Sequence, residues 1–192
     1  GWQDTIFNGD PMTCNMKKLM LPDFFQASEV PIVHKFYRNY FKDCYVCGDV
    51  DYIFGPNTAF FDHCEIHSIA RVSEEKAYIT AASTPAGQEF GLIFSHCRIT
   101  GEEPDSVYLG RPWRDCAKTA FICCELGDHI CPEGWQNWGK VRAEVLSDYI
   151  EYGNFGPGAD CSGRSPLSRC LVNPEVETYF SKENVLVGED GW

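Results

Sequence analysis

A six-residue unit of the form Phe-x-x-Cys-x-aliphatic recurs four times in this chain. Its cysteines, which are spaced 20, 33 and 27 positions apart, are Cys44, Cys64, Cys97 and Cys124. Repeats at intervals of this size predict a solenoid, in which equivalent residues of successive coils stack on one another. On a straight strand the cysteine and the aliphatic residue two positions later share a face, whereas the phenylalanine has the opposite parity. The unit therefore predicts strands with a bend inside each copy.

The rest of the chain supports an all-β fold with loops of variable length. Runs rich in β-branched and aromatic residues, bounded by Gly, Pro, Asp or Asn, predict strands within 91–100, 106–108, 118–126 and 147–152. Helical periodicity is weak except at 173–181, where Asn173-Pro174 has the form of a helix start. We expect a right-handed parallel β-helix, with a β-sandwich as the alternative.

The 192 residues have the size of one domain, and we expect a single domain over 1–192. Residues 8–35 break the strand pattern, because they are polar and Met-rich and show no periodicity. A segment of this length without secondary structure is uncommon in a compact domain. We expect a long loop insertion or a small subdomain there.

The net charge of −12 argues against functions that depend on a basic surface. Nucleic-acid binding draws its affinity mainly from Lys and Arg on phosphates, so no nucleic-acid partner is expected. A strongly anionic polymer is also disfavoured, unless the stretch in contact is itself neutralised. No apolar run has the length of a membrane span, and no membrane partner is expected.

Eleven cysteines are many for a chain of this length, and their number is odd. Because the repeat places cysteines at equivalent positions, we expect buried structural thiols, with some disulfides as the alternative. Cys44 and Cys47 stand alone, without the second pair that would complete a zinc site. His63 and His67 share a strand face with Glu65, but strand geometry puts the two histidines roughly 13 Å apart, too far for one ion. No metal and no other cofactor are expected.

A carboxylate and a guanidinium lie in two short, constrained stretches. Asp51 is embedded in the β-branched and aromatic run 48–55, so we expect it on a rigid strand. A carboxylate in such company faces solvent, pairs with a cation or works in a cleft. Arg111 and Trp113, in the stretch 109–113, offer the cation and an aromatic platform.

These stretches resemble the pectin methylesterases, family 8 of the carbohydrate esterases. The motifs that carry the likeness are Gln3-Asp4-Thr5, 48–55, 79–82, 109–113, 134–138, 151–159 and Gly191-Trp192. In detail they look more like the bacterial than the plant branch. The family's catalytic domain begins well upstream of its Gln-Asp-Thr motif, with further coils, a capping helix and a second glutamine, so an N-terminally truncated β-helix is expected. Asp4 and Asp51 are 47 positions apart, which is about twice the family's usual separation.

The resemblance implies a role for each matched residue. Asp51 would be the nucleophile that attacks a methyl ester, and Arg111 would keep it ionised and oriented. Asp4 would be the general acid that protonates methanol and then the base that activates water. Gln3 would donate an amide N–H to the oxyanion, and Trp113 would stack on a galacturonosyl ring.

Simpler roles stay open for the same residues. They are a turn cap for Asp4, a solvated strand position for Asp51, a surface ion pair for Arg111, plain packing for Trp113 and plain hydrogen bonding for Gln3. Asp49 shares a face with Asp51 on a straight strand. We expect Asp49 to be solvated or supporting rather than catalytic.

The function that the resemblance implies is that of a pectinesterase, which hydrolyses the methyl esters of galacturonosyl residues in pectin. Its substrate would be methyl-esterified homogalacturonan, in which the ester removes the charge that an acidic surface repels. The alternatives are a truncated, inactive carbohydrate-binding β-helix module, and an esterase or thioesterase for a different substrate. An upstream polypeptide segment or self-association would cover an open β-helix end. Pectin is a plant-wall polymer, which implies secretion, although the thiol count would also suit a reducing cytoplasm.

Overall fold

The computed structural model describes residues 4–8, 19–20, 38–71, 73 and 75–188, the first two segments by their backbone alone. Gln3 and most of the predicted loop 8–35 lie outside the described residues. Within that loop, Leu19–Met20 form a two-residue strand, so part of the segment pairs with a sheet. The assignment of 8–35 as an insertion in a single domain stays a prediction.

Three sheets make up the described part of the chain. The first sheet holds, in spatial order, β1 (Asp4–Asn8), β3 (Arg38–Lys42), β6 (Thr58–Asp62), β9 (Leu92–Ser95), β12 (Lys118–Ile122), β14 (Asp148–Tyr152) and β15 (Ser168–Leu171). The second holds β4 (Tyr45–Gly48), β7 (Glu65–Ser68), β10 (Arg98–Gly101) and β13 (Glu125–Leu126). The third holds β2 (Leu19–Met20), β5 (Val50–Gly55), β8 (Ala77–Ala82) and β11 (Val107–Gly110).

The chain visits the three sheets in a fixed rotation. From β3 to β11 it runs through the first, second and third sheet three times in succession. All pairings between the described strands are parallel, and each joins a strand to its counterpart in a neighbouring coil. This is a parallel β-helix, as the repeat predicts, and not a sandwich of antiparallel sheets.

The repeated unit marks the bend between the first and second sheets. Its phenylalanines stack in the interior with ring centroids 4.6, 4.7 and 4.5 Å apart, in the order Phe41, Phe61, Phe94 and Phe121. The third residue of each copy has a positive φ, of 52°, 52°, 54° and 53° in Asp43, His63, His96 and Cys123. A left-handed residue interrupts the alternation of strand side chains, so the phenylalanine and the cysteine can both face the interior. The predicted bend is confirmed.

Most cysteines of the described residues are buried thiols. Cys64, Cys97 and Cys124 each donate to the carbonyl of the phenylalanine one coil earlier, at 3.5, 3.3 and 3.4 Å. Six described cysteines outside the disulfide are buried: Cys44, Cys47, Cys64, Cys97, Cys124 and Cys131. Cys161 and Cys170 form a disulfide. The expectation of structural thiols therefore holds for the repeat, and the disulfide alternative holds for this one pair.

Three short helices occur in the described part of the chain: α1 (Ala143–Leu146), α2 (Glu175–Tyr179) and α3 (Lys182–Val185). Helix α2 confirms the helix predicted within 173–181, and the Asn173 side chain accepts a hydrogen bond from the Glu175 N–H at 3.1 Å. Phe180 and Val185 pack in a second apolar cluster on the outside of the first sheet. No helix that the structure describes has both the length and the apolar character needed to cross a membrane.

Candidate active site

Asp51 lies on β5 at a local irregularity of the third sheet. The register between β5 and β8 shifts between Val50 and Ile53, which gives β5 one extra residue there. Asp51 has a φ of 48°, in the left-handed region that strand residues rarely adopt. Such conformations persist where the surrounding structure holds them, and they cluster at functional sites. The carboxylate is 17% exposed, so it is partly desolvated and still reachable from solvent.

Arg111 follows the end of β11 and forms a two-point ion pair with Asp51. Its Nε donates to Oδ1 at 3.0 Å and its Nη2 donates to Oδ2 at 2.6 Å. The Arg111 backbone N–H donates to the Thr80 carbonyl at 3.0 Å, which fixes where the side chain begins. Parallel bonds of this kind hold both the charge and the orientation of a carboxylate. The pairing of Asp51 with a cation, expected from the sequence, is what the structure shows.

Two aromatic rings enclose the guanidinium of Arg111. Its Cζ lies 3.9 Å from the ring centroid of Tyr78 and 3.9 Å from that of Trp138. Burial raises the pKa of the Tyr78 hydroxyl, and the adjacent Arg111 opposes that rise. Trp138 has a φ of 54° and remains 39% exposed, so one face of the site is an accessible indole. Sequence reasoning missed both rings, although Trp138 lies in the 134–138 motif.

Trp113 extends the aromatic surface beside this pair. It is half-buried, and its ring lies 5.4 Å from that of Phe54. Lys140 Nζ donates to the carbonyls of Pro112 and Trp113, both at 2.7 Å, and lies 4.6 Å from the Trp138 ring centroid. Burial lowers the pKa of the Lys140 amine, and the nearby Arg114 lowers it further. Lys140 therefore ties the loop after β11 to the loop that carries Trp138.

The atoms packed around Gly110 leave no space for a side chain at this position, directly before Arg111. A Cβ on Gly110 would lie 2.1 Å from Thr80 Oγ1 and 3.1 Å from the Trp135 ring. No larger residue fits without moving β8 or the indole, and either shift would displace Arg111.

A second ion pair, between Arg164 and Glu151, stabilises the part of the chain that carries Trp135. Arg164 makes two hydrogen bonds to Glu151, at 2.8 and 3.0 Å, and the two side chains are 4% and 2% exposed. Trp135 Nε1 also donates to Glu151 at 2.9 Å. Buried charges are tolerated when they are paired and fully hydrogen-bonded, as they are here. This arrangement fixes Trp135, three residues before the ring that covers Arg111.

The structure does not bring every predicted site residue together. The backbone of β1 pairs with β3 in the first sheet, with Asp4 aligned to Arg38, whereas Asp51 lies in the third sheet. The side chain of Asp4 is outside the described part, as is Gln3 entirely. Their catalytic roles therefore stay predictions. Asp49 is exposed and accepts a hydrogen bond from the Val50 N–H at 2.8 Å, which agrees with a solvated residue.

Metal-ligating clusters occur in the described part of the chain, but none of them includes Asp51 or Arg111. His63 and His67, which share the strand pattern but were predicted too far apart for one ion, use their Nδ1 atoms on different partners. These are Asp62 at 2.5 Å and Thr100 at 2.8 Å.

The fold and the site together define a parallel β-helix protein with a partly buried carboxylate–guanidinium pair on one sheet. The chain belongs to the pectinesterase family, whose sequence model matches residues 26–189. It is 39% identical to pectinesterase 31 of Arabidopsis thaliana over 141 residues, which cover 72% of this chain and 43% of that protein. The chain thus spans less than half the length of this curated relative.

The solved structures that superpose on this chain belong to the same family. The pectin methylesterase from carrot superposes with a TM-score of 0.73 and 29% identity, covering 82% of this chain and 52% of the carrot chain. A pectin methylesterase solved in complex with a hexasaccharide superposes with a TM-score of 0.64 and 28% identity, covering 78% and 51%. The bacterial-type detail of the sequence motifs stays a prediction.

Proposed function

We propose that this chain hydrolyses the methyl esters of galacturonosyl residues in pectin and releases methanol. The two-point pairing of Asp51 with Arg111 between two aromatic rings is the observation that carries this proposal. Family membership supports it, and so do the names of the relatives, which are pectinesterases and pectin methylesterases.

Asp51 is the nucleophile in this proposal. Each carboxylate oxygen has room for two hydrogen bonds, so the contacts with Arg111 leave a lone pair on each oxygen for attack. Attack on the ester carbonyl gives a tetrahedral oxyanion, and its collapse expels methoxide and leaves an acyl group on Asp51. Arg111 keeps the carboxylate ionised and fixes its direction before the substrate binds, which reduces the reorganisation needed in the transition state.

Asp4 and Gln3 supply the remaining steps. Asp4 gives a proton to the departing methanol and then takes one from the water that cleaves the acyl group from Asp51. Gln3 donates a hydrogen bond to the oxyanion in both steps. These roles require the chain near β1 to lie close to Asp51. The proposal therefore depends most strongly on the position of Asp4.

The aromatic surface and the net charge of the chain favour an esterified galacturonan as the substrate. Trp113 and the exposed ring of Trp138 offer faces on which pyranose rings can stack. The chain carries a net charge of −12, so a galacturonan stretch binds best where its carboxylates are still esterified. A hexasaccharide bound to a solved relative supports a ligand of several sugars.

An extracellular location fits this substrate, which is a plant-wall polymer. The Cys161–Cys170 disulfide supports an oxidising compartment, since disulfides persist mainly in secreted proteins. Thiol labelling of the native protein from its source, with and without prior reduction, tests this. Two additional reactive thiols after reduction are expected, and equal labelling would argue for the cytoplasm.

The function is tested by methanol release from highly methylated pectin by Gly1–Trp192, with polymer length followed in parallel. We expect methanol without any change in chain length, and an Asp51→Asn variant that stays folded but releases at least about 10³-fold less. Pectin binding without methanol release would identify a binding module instead. Release from simple acyl esters or thioesters in preference to pectin would identify a different esterase.

A further inference from the structure

A group of metal-ligating side chains lies on the side of the β-helix away from the third sheet. The ligand atoms of His96, Cys123 and Glu177 all lie within 4.8 Å of one another. His96 Nε2 and Glu177 Oε1 are 3.9 Å apart. Bonds of about 2.0–2.3 Å to a tetrahedral zinc ion put its ligands roughly 3.3–3.7 Å from one another, so small rotations bring these three into range.

The coil geometry places two of the ligands. His96 and Cys123 occupy the left-handed bend position of successive coils, with φ values of 54° and 53°. Their strands β9 and β12 are paired neighbours, so the two side chains project from adjacent rungs. Glu177 comes from α2, which is packed over the first sheet. The bends after β9 and β12 and helix α2 therefore each place one ligand atom near the same point.

The imidazole of His96 is already oriented for binding. Its Nδ1 shares a hydrogen bond with the Ser95 hydroxyl at 2.9 Å, which leaves Nε2 directed toward Glu177. The ring of His63 lies parallel to it, at 5.2 Å between centroids and 7° between planes. A metal-binding histidine typically uses one nitrogen for the ion and the other for a hydrogen bond that fixes the ring.

The thiol of Cys123 is also available for binding. Cys123 is free and half-buried. A divalent cation between Cys123 and Glu177 would bind the thiolate and the carboxylate together.

The other two ligand clusters among the described residues already hold a different partner. At Asp105, Cys131 and Glu133, the Lys76 amine lies 2.8 Å from Asp105 and supplies the positive charge. In the third cluster, Cys161 and Cys170 are joined as a disulfide beside Glu151. His96, Cys123 and Glu177 form the remaining cluster of that part of the chain, and there the mixture of nitrogen, sulfur and oxygen donors suits zinc.

We propose that His96, Cys123 and Glu177 bind one divalent ion of the zinc type, with water in the fourth position. The ion joins α2 to two successive bends of the β-helix and stabilises the packing of the C-terminal helices on the first sheet. The site lies at the bend between the first and second sheets, whereas Asp51 lies on the third, so the proposal does not depend on the esterase function.

Cobalt titration of the metal-free protein tests the proposal. Co²⁺ bound to a thiolate gives a charge-transfer band in the near ultraviolet, and we expect one Co²⁺ per chain, displaced by Zn²⁺. We expect Cys123→Ser to lose the band, and His96→Gln and Glu177→Gln each to weaken binding at least about tenfold. Zn²⁺ is expected to raise the unfolding temperature of the wild type and not that of His96→Gln.

Matched variants separate this site from other ligands on the surface. Cys131→Ser removes the thiol of the cluster that contains Lys76, and Glu175→Gln removes a carboxylate from the same helix as Glu177. Both are expected to bind Co²⁺ like the wild type. A charge-transfer band that persists in Cys123→Ser, or that disappears in Cys131→Ser instead, would overturn the proposal, as would the absence of any band in the wild type.

Discussion

At the scale of single residues, the site depends on how Arg111 is held rather than on its charge alone. Its guanidinium makes two hydrogen bonds to Asp51, and its Cζ lies 3.9 Å from the ring centroids of both Tyr78 and Trp138. Only a flat, delocalised cation satisfies both kinds of contact at once. Asp51 itself has a left-handed backbone conformation, and the two hydrogen bonds from Arg111 direct its carboxylate.

Replacing Arg111 with lysine tests this directly. Lysine keeps the charge but cannot make parallel bonds to both oxygens or stack between two rings, so we expect kcat/KM to fall about 10²-fold. The matched control is Arg114→Lys, which changes an exposed arginine three positions later and is expected to leave kcat/KM unchanged. Equal activity of Arg111→Lys and wild type would show that charge is sufficient.

His129 makes stability depend on pH. It is fully buried, both ring nitrogens lack a hydrogen-bond partner among the described residues, and burial lowers its pKa to about 4. The unfolded chain takes up a proton near pH 6.5 and the folded chain does not, so stability is lost as pH falls from about 6.5 toward 4. Phenylalanine has a similar flat ring and no charge. Between pH 7 and 5, urea unfolding should show the wild type losing about 1–2 kcal/mol more than His129→Phe; equal losses would contradict the assignment.

At the scale of the structural element, the stacked phenylalanines carry the fold. Phe94 lies between Phe61 and Phe121, with ring centroids 4.7 and 4.5 Å away. The thiols of Cys64, Cys97 and Cys124 each donate a hydrogen bond to the preceding coil. Because coils contact mainly their neighbours, a defect in one rung weakens the coupling between the coils on either side.

Truncating the middle ring of this stack should therefore be costly. Phe94→Ala removes a fully buried ring, and we expect the free energy of unfolding to drop by about 3–5 kcal/mol in denaturant titrations. Phe155→Ala is the control, because Phe155 is 57% exposed and its loss should change stability by less than about 0.5 kcal/mol. Similar losses for both variants would mean that the stack does not carry the fold.

The same repeat shows how much the sequence could predict. Spacing and parity were enough for the coils and the bend, because both follow from local chain geometry. The pairing of Asp51 with Arg111, which lies 60 positions away, was implied by the family resemblance instead. Tyr78 and Trp138 could not be found that way, since no fixed spacing relates them to Arg111. The sheet that contains β1 could not be predicted from the repeat either, because β1 lies outside the four copies of the unit.

At the scale of the whole molecule, net charge is expected to govern the encounter with the proposed substrate. The chain carries a net charge of −12, and demethylated galacturonan is also negatively charged. Repulsion between them grows as the product accumulates and is screened within about 10 Å at 0.1 M salt. Under the proposed function, the chain should therefore favour stretches that still carry their esters.

Rates on pectins of graded methylation measure this effect. At low ionic strength we expect the rate per remaining ester to fall as methylation falls, and added salt to restore part of the loss. Equal rates on low- and high-methyl pectin at low salt would count against an electrostatic selection of substrate.

The most direct test of the account is whether Asp4 and Asp51 act as one catalytic unit. Methanol release would be compared for the wild type, Asp4→Asn, Asp51→Asn and the double variant, all checked for native folding. Groups that serve the same reaction cycle are strongly non-additive, so we expect the double variant to be little slower than the Asp51→Asn chain. An Asp4→Asn chain as fast as the wild type would contradict the account, as would losses that simply multiply.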